Sequence, residues 1–151
     1  MKLNPCTRNP SPQSQVLSAK RRKLHRPWQP SRVLVHNWAL HLCQALAYMH
    51  GFDPPLVHRD IKPANLLLSE DLRSLKVTDF GMARARPEGA YDMTGNTGTK
   101  RYMAPEVYSN QKDYGTGVDV YSSGMIMWMM CTGRRPWETI PADEVADQVF
   151  D

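Results

Sequence analysis

The chain has 151 residues, 41% hydrophobic and 23% charged, an ordinary balance for one soluble domain. Its formal charge of +4 is unevenly placed: residues 1–32 carry eight Lys or Arg and no acid, while the remainder carries 11 bases against 15 acids. Neither a secretory leader nor a membrane span is expected, because the N-terminus lacks an apolar run and the most apolar stretch, residues 125–131, is far short of the ~18 residues required. Three cysteines (Cys6, Cys43, Cys131) in no paired spacing, with five scattered histidines, offer neither a zinc site nor a disulfide framework. A reducing, intracellular and cytoplasmic setting follows.

Residues 1–17 are rich in Pro, Ser, Asn and Gln without periodicity, the composition of a disordered tail. The basic cluster at residues 20–26 reads as a solvated tail or the polar face of a short helix. It is also the pattern of a nuclear-localisation or nucleic-acid patch, but it has no interleaved aromatics. The acidic body supplies no second basic surface, which argues against a nucleic-acid partner.

From Val35 the pattern changes. Val35, Trp38, Ala39, Leu42, Cys43, Leu46 and Met49 recur at three- and four-residue steps, one face of an amphipathic helix ended by Gly51 and Asp53-Pro54-Pro55. Residues 66–68 and 75–77 read as two short strands around a turn at 69–74. Residues 82–102 show no apolar periodicity and form a long loop, a length that in compact domains usually serves function. Thr116 with Asp119 three residues on resembles a capping box. The helix it opens is apolar almost all round to Cys131, so burial on every side is expected, with a stop at Gly133 and Pro136. A further helix follows Pro141 across residues 142–150.

Three signatures stand on this frame: His58-Arg59-Asp60-Ile61-Lys62-Pro63-Ala64-Asn65, then Asp79-Phe80-Gly81, then Ala104-Pro105-Glu106. Each suits phosphoryl transfer, in which a protein positions reactants and neutralises charge. Asp60 would face a substrate hydroxyl and accept its proton. Asn65, five residues on, would hold magnesium through its amide oxygen, and Asp79 would bind magnesium bridging nucleotide phosphates. The hairpin between Asn65 and Asp79 would bring the two ligands together.

Residues 33–151 resemble the large lobe of eukaryotic protein kinases. The resemblance implies an α+β architecture, mainly helical with a short β-hairpin, and ATP and Mg2+ as cofactors with a protein as substrate. Lys62, two residues after Asp60, and Gly98-Thr99 before Tyr102 are similar to the Ser/Thr class, with Lys62 contacting the transferring phosphate and Thr99 bonding to Asp60 and Lys62. The stretches Gly98 to Val107 and Cys131 to Trp137 are similar to the tyrosine-kinase-like group of Ser/Thr kinases. Asp119 would tie down the catalytic-loop backbone, His58 and Phe80 would stack in the active form, Gly81 completes the Asp-Phe-Gly turn, and Leu67 would lie beneath the adenine. Arg59 beside Asp60 implies activation by loop phosphorylation, with Arg84 as second base, Thr94 and Thr97 as acceptors and an upstream kinase as partner. Glu106 would pair with an arginine in later helices.

No Gly-rich phosphate loop or strand lysine precedes these motifs. The expected division is therefore a basic, Pro-rich tail over residues 1–32 and a partial kinase domain over 33–151, without its small lobe and truncated at its C-terminal end. Such a chain alone is expected to have negligible activity, and the alternative reading is an inactive scaffold or decoy lobe.

Overall fold

A computed structural model describes residues 29–83, 100–108 and 114–150. The basic cluster at 20–26 and the site residues Arg84, Thr94, Thr97 and Thr99 lie outside the described residues.

Helix α1 runs Arg32–His50, starting three residues before the apolar periodicity does. Ser31 is the reason: its backbone is extended and its hydroxyl accepts from the Leu34 N–H at 3.3 Å, satisfying an end donor of the helix. Trp38, Leu42, Leu46 and Met49 form the buried stripe. Gly51 closes the helix, and its N–H donates to the Ala47 carbonyl at 3.0 Å. A Cβ there would stand 3.0 Å from that same oxygen, so a larger residue would push the cap apart.

Strands β1 (Leu66–Leu68) and β2 (Leu75–Val77) pair antiparallel, with Leu66 opposite Val77, Leu67 opposite Lys76 and Leu68 opposite Leu75. Their turn is fixed by local side chains, as Ser69 Oγ donates to Asp71 Oδ1 (2.6 Å) and the Arg73 N–H donates to the same oxygen (3.0 Å). Two bonds fasten the hairpin to α1. Trp38 Nε1 donates to the Leu72 carbonyl at 2.7 Å, and the Leu75 N–H donates to His41 Nδ1 at 3.3 Å. Trp38→Phe is expected to lower unfolding stability by about 1–2 kcal/mol, since it removes one partly buried hydrogen bond while keeping most of the ring packing. A urea midpoint unchanged from the parent would contradict this role for the indole N–H.

Helices α2 (Pro105–Tyr108), α3 (Gly117–Thr132) and α4 (Val145–Phe150) complete the described elements. The main core joins the α1 stripe to Ile61, Leu66, Leu75, Tyr102, Ile126 and Met130, and a second cluster gathers Val57, Ala104, Tyr114 and Val118. Full burial of each large aliphatic side chain stabilises by roughly 1.5–3 kcal/mol, so α1, the hairpin and α3 hold one another. The result is α+β, mainly helical with one two-stranded sheet. Among the described residues no helix is long and apolar enough to cross a membrane.

Two expectations are corrected. Thr116 does not form a capping box: its backbone is already helical (φ −61°, ψ −17°), its side chain caps nothing, and the Asp119 carboxylate turns inward. Three donors from neighbouring segments meet that carboxylate inside the protein, a stronger demand than one exposed cap. Nor is α3 buried on every side. Val118, Ser122, Ile126 and Met130 face inward, while Val120 (59%) and Trp128 (45%) are exposed. Its packing against α1 and the 100–102 turn covers one face. The stop at Gly133 is as expected, in the left-handed region (φ 70°) with its N–H donating to the Met129 carbonyl at 2.8 Å.

Candidate phosphoryl-transfer site

Asp119 organises the loop between α1 and β1. It sits in the first turn of α3, 1% exposed, where the helix dipole favours a negative charge. Its Oδ1 accepts the Arg59 N–H at 2.8 Å, and Oδ2 accepts the His58 N–H at 2.8 Å and lies 2.9 Å from His50 Nε2. The loop needs that grip because Arg59 is left-handed (φ 69°), which for a non-glycine residue costs on the order of 1–3 kcal/mol. The Arg59 guanidinium lies over the Tyr114 ring, 5.7 Å from its centroid.

His58 is fully buried. Its Nδ1 accepts the Asp60 N–H (3.3 Å), which leaves the proton on Nε2, and that proton is donated to the Thr78 carbonyl (3.2 Å). The imidazole thereby links the loop to the residue preceding Asp79. Its ring centroid is 5.1 Å from that of Phe80, whose other side is half exposed.

Asp60 is 8% exposed and heavily engaged at one oxygen. Lys62 Nζ stands 2.7 Å from Oδ2, and Asn65 Nδ2 donates to both Oδ2 (3.0 Å) and the Asp60 carbonyl (2.8 Å). Oδ1 is buried with no hydrogen-bond partner among the described residues. A buried carboxylate oxygen in that state carries a desolvation cost that a donor from a ligand would relieve.

Asn65 ends a single 3-10 turn, Pro63–Asn65. Because both its amide contacts to Asp60 use nitrogen, the oxygen is the end left for a cation. Its carbonyl accepts the Thr78 N–H at 2.9 Å, one residue before Asp79, so the β1–β2 ladder draws Asn65 and Asp79 together. Asp79 is exposed and left-handed (φ 65°), aimed by a following 3-10 turn over Phe80–Met82. A Cβ on Gly81 would stand 3.3 Å from Asp79 Oδ1, so glycine leaves that carboxylate room.

This donor set fits Mg2+. Among the described residues no three His, Cys, Asp or Glu converge, so a cation held by Asn65 and Asp79 would have one amide oxygen and one carboxylate from the protein and would need phosphate or water for the rest. Magnesium favours such oxygen sets and keeps several waters, whereas zinc wants nitrogen and sulfur. Leu67 is half-buried on β1 between these ligands in sequence.

A small cavity beside Asp60 is lined by Tyr102, Met103, Ala104, Val107 and Ser122. Ser122 Oγ donates to the Tyr102 carbonyl at 2.6 Å. Glu106, in the first turn of α2, stands near Tyr121 and raises its phenol pKa, adding to the larger effect of burial. Burial likewise pushes Tyr108 well above the ordinary tyrosine value. Both phenols hold their protons more tightly folded than unfolded. Their stabilisation is therefore complete below about pH 10 and declines as pH rises further, which a pH series of urea midpoints would detect.

The fold thus gathers His58, Arg59, Asp60, Lys62, Asn65, Asp79, Phe80, Gly81 and Asp119 around one loop and one hairpin, and places Glu106 apart, at α2. Sequence reasoning missed His50, Tyr114 and Arg101. A histidine at the last position of an amphipathic helix is the only one of these with a sequence signal.

The family model described as protein kinase domain matches residues 16–151. A putative mitogen-activated protein kinase kinase kinase 7-like protein of Drosophila melanogaster is 43% identical over 110 residues, covering 73% of this chain and 27% of that protein. Serine/threonine-protein kinase VIK of Arabidopsis thaliana is 38% identical over 120 residues (76% and 27%). Mitogen-activated protein kinase kinase kinase 7 of Mus musculus is 41% identical over 105 residues (69% and 17%). The chain spans about a quarter or less of the length of these relatives.

Proposed function

The chain belongs to the eukaryotic protein kinase superfamily, and we propose that it is the catalytic lobe of a protein serine/threonine kinase that moves the γ-phosphate of ATP to a protein hydroxyl. The carrying observation is the Asp60 carboxylate, pinned through Oδ2 by Lys62 and Asn65 while the buried Oδ1 lacks a partner among the described residues. A Ser or Thr hydroxyl donating to Asp60 would satisfy it. As the hydroxyl oxygen bonds to the γ-phosphorus and the bond to the ADP oxygen breaks, Asp60 takes the hydroxyl proton.

Lys62 balances charge at Asp60, and the resemblance gives it the role of contacting the transferring phosphate. Asn65 and Asp79 would hold Mg2+, which when bound neutralises phosphate charge. Lysine at position 62 and the named relatives favour Ser/Thr over Tyr, and a tyrosine-kinase-like placement within the Ser/Thr kinases rests on the 98–107 and 131–137 stretches. The exposed thiols of Cys43 and Cys131 suit a reducing cytoplasm.

We further propose Thr94 and Thr97 as phosphate acceptors for an upstream kinase, read through Arg59 and Arg84. Mass spectrometry of active protein with both threonines unmodified would remove that proposal. The 151 residues alone are expected to turn over negligibly, since they carry no Gly-rich loop or strand lysine to clamp the nucleotide. The function itself is tested by incubating a catalytically active form with labelled ATP, Mg2+ and degenerate peptide libraries centred on Ser, Thr or Tyr. Label on the Ser and Thr libraries is expected, and label confined to the Tyr library would sink the assignment.

A further inference from the structure

Arg101 lies within the 98–107 stretch without a motif role of its own, yet its guanidinium makes three hydrogen bonds to main-chain oxygens. Its Nη1 donates to the Pro136 carbonyl at 3.3 Å and to the Trp137 carbonyl, and Nη2 donates to the Ile140 carbonyl at 2.6 Å. Three main-chain oxygens of one turn therefore converge on one planar guanidinium, a fork that only arginine presents. The turn is shaped for it, as Trp137 is left-handed (φ 55°), an uncommon state for a bulky residue that persists only where its surroundings hold it.

On the other side, Arg101 lies in the 3-10 turn Lys100–Tyr102, whose neighbours are each fastened separately. Tyr108 Oη donates to the Lys100 carbonyl, Ser122 Oγ to the Tyr102 carbonyl, and Tyr102 Oη to Met129 Sδ at 3.3 Å. Tyr102, Met103 and Val107 then line the cavity that opens on Asp60. We infer that Arg101 is a positioning residue for the protein acceptor: by clamping the 136–140 turn it sets the wall against which the segment flanking the target hydroxyl lies. The inference rests on the kinase reading. Because the Arg101 bonds go to the Pro136, Trp137 and Ile140 carbonyls and none to Asn65 or Asp79, the clamp is expected to bear on acceptor binding rather than on the nucleotide side.

Arg101→Lys keeps the charge and most of the stem, but one ammonium cannot reach all three carbonyls; Arg101→Met removes every donor. Hydrogen exchange on the 151-residue chain separates local from global effects. The Met103 and Val107 amides, bonded to the Lys100 and Ala104 carbonyls, are expected to exchange roughly tenfold faster in the Lys variant, the loss of one or two charge-assisted bonds. The hairpin amides of Ser69 and Thr78 should not change. No change at 103 and 107, or an equal rise at all four, overturns the clamp.

In the catalytically active form, the same variant should raise KM for the serine peptide library about tenfold, with KM for ATP and kcat within about twofold. An unaltered peptide KM, or a fall in kcat alone, overturns its role toward the acceptor. Should Arg101→Met fail to fold, the Lys variant decides. Transfer by the unsubstituted active form to Tyr peptides alone counts against the Ser/Thr kinase reading, while the exchange result still reports on the clamp.

Discussion

Asp60→Asn is expected to slow phosphate transfer by about 10²–10⁴-fold in a catalytically active form of the protein, the usual contribution of one positioned proton acceptor. The substitution is nearly isosteric. An amide oxygen at Oδ2 can still receive Asn65 Nδ2 and Lys62 Nζ, which hold the carboxylate at 3.0 and 2.7 Å, so the loop should keep its shape. What is lost is basicity and half of the acceptor capacity, because the second oxygen becomes a donor pointed at the incoming hydroxyl. KM for ATP should change little, since Asn65 and Asp79 are the residues proposed for the nucleotide side. Steady-state kinetics with both substrates varied checks this: a kcat within threefold of the parent would remove Asp60 from the chemistry.

Asp119→Ala should have the largest effect on stability. It strips acceptors from the His58 and Arg59 amides and from His50 at once, all within 2.9 Å of the carboxylate. Orphaning buried donors costs about 1–3 kcal/mol each, and breaking a buried charged cluster about 3–5 kcal/mol in total. Against the roughly 5–15 kcal/mol that holds a typical domain together, that is a large share. The left-handed turn at Arg59 would also lose the bond that holds it, so the catalytic loop should loosen before the rest unfolds. Asp119→Asn should fall between, keeping one oxygen but presenting an NH2 to a backbone donor. Urea unfolding monitored by Trp fluorescence decides; a loss below about 1 kcal/mol for the alanine variant would mean the loop is held by something else.

The features legible in the sequence are those whose physics is local. Strand pairing at 66–68 and 75–77 followed from short apolar runs around a polar turn, and the end of α1 from Gly51. The roles expected for Asp60, Asn65 and Asp79 came from residue type and spacing, because few side chains accept protons or bind magnesium. Partnership across the chain was not readable. Asp119 three residues after Thr116 fits both an exposed cap and an inward anchor, and only the arrival of the 58–59 amides decides between them. Likewise an all-apolar run cannot say which side of α3 finds a neighbour; Val120 and Trp128 face outward although their composition matches that of the buried stripe. Trp38 and Arg101 show the same gap, since an indole N–H or a guanidinium does not announce the carbonyl it will meet 34 to 39 residues away.

The claim at the centre of this account is that the loop and the hairpin build one phosphoryl-transfer centre, joined by the Asn65–Thr78 ladder bond and the His58 bridge. The most direct test is a double-mutant cycle: single-turnover transfer from ATP to a serine peptide in the parent, Asp60→Asn, Asp79→Asn and the combined variant, at fixed Mg2+. Residues that act as a unit are strongly non-additive, so the combined variant should be scarcely slower than the worse single one. If the two losses simply multiply, Asp60 and Asp79 act independently and the single-centre account is wrong.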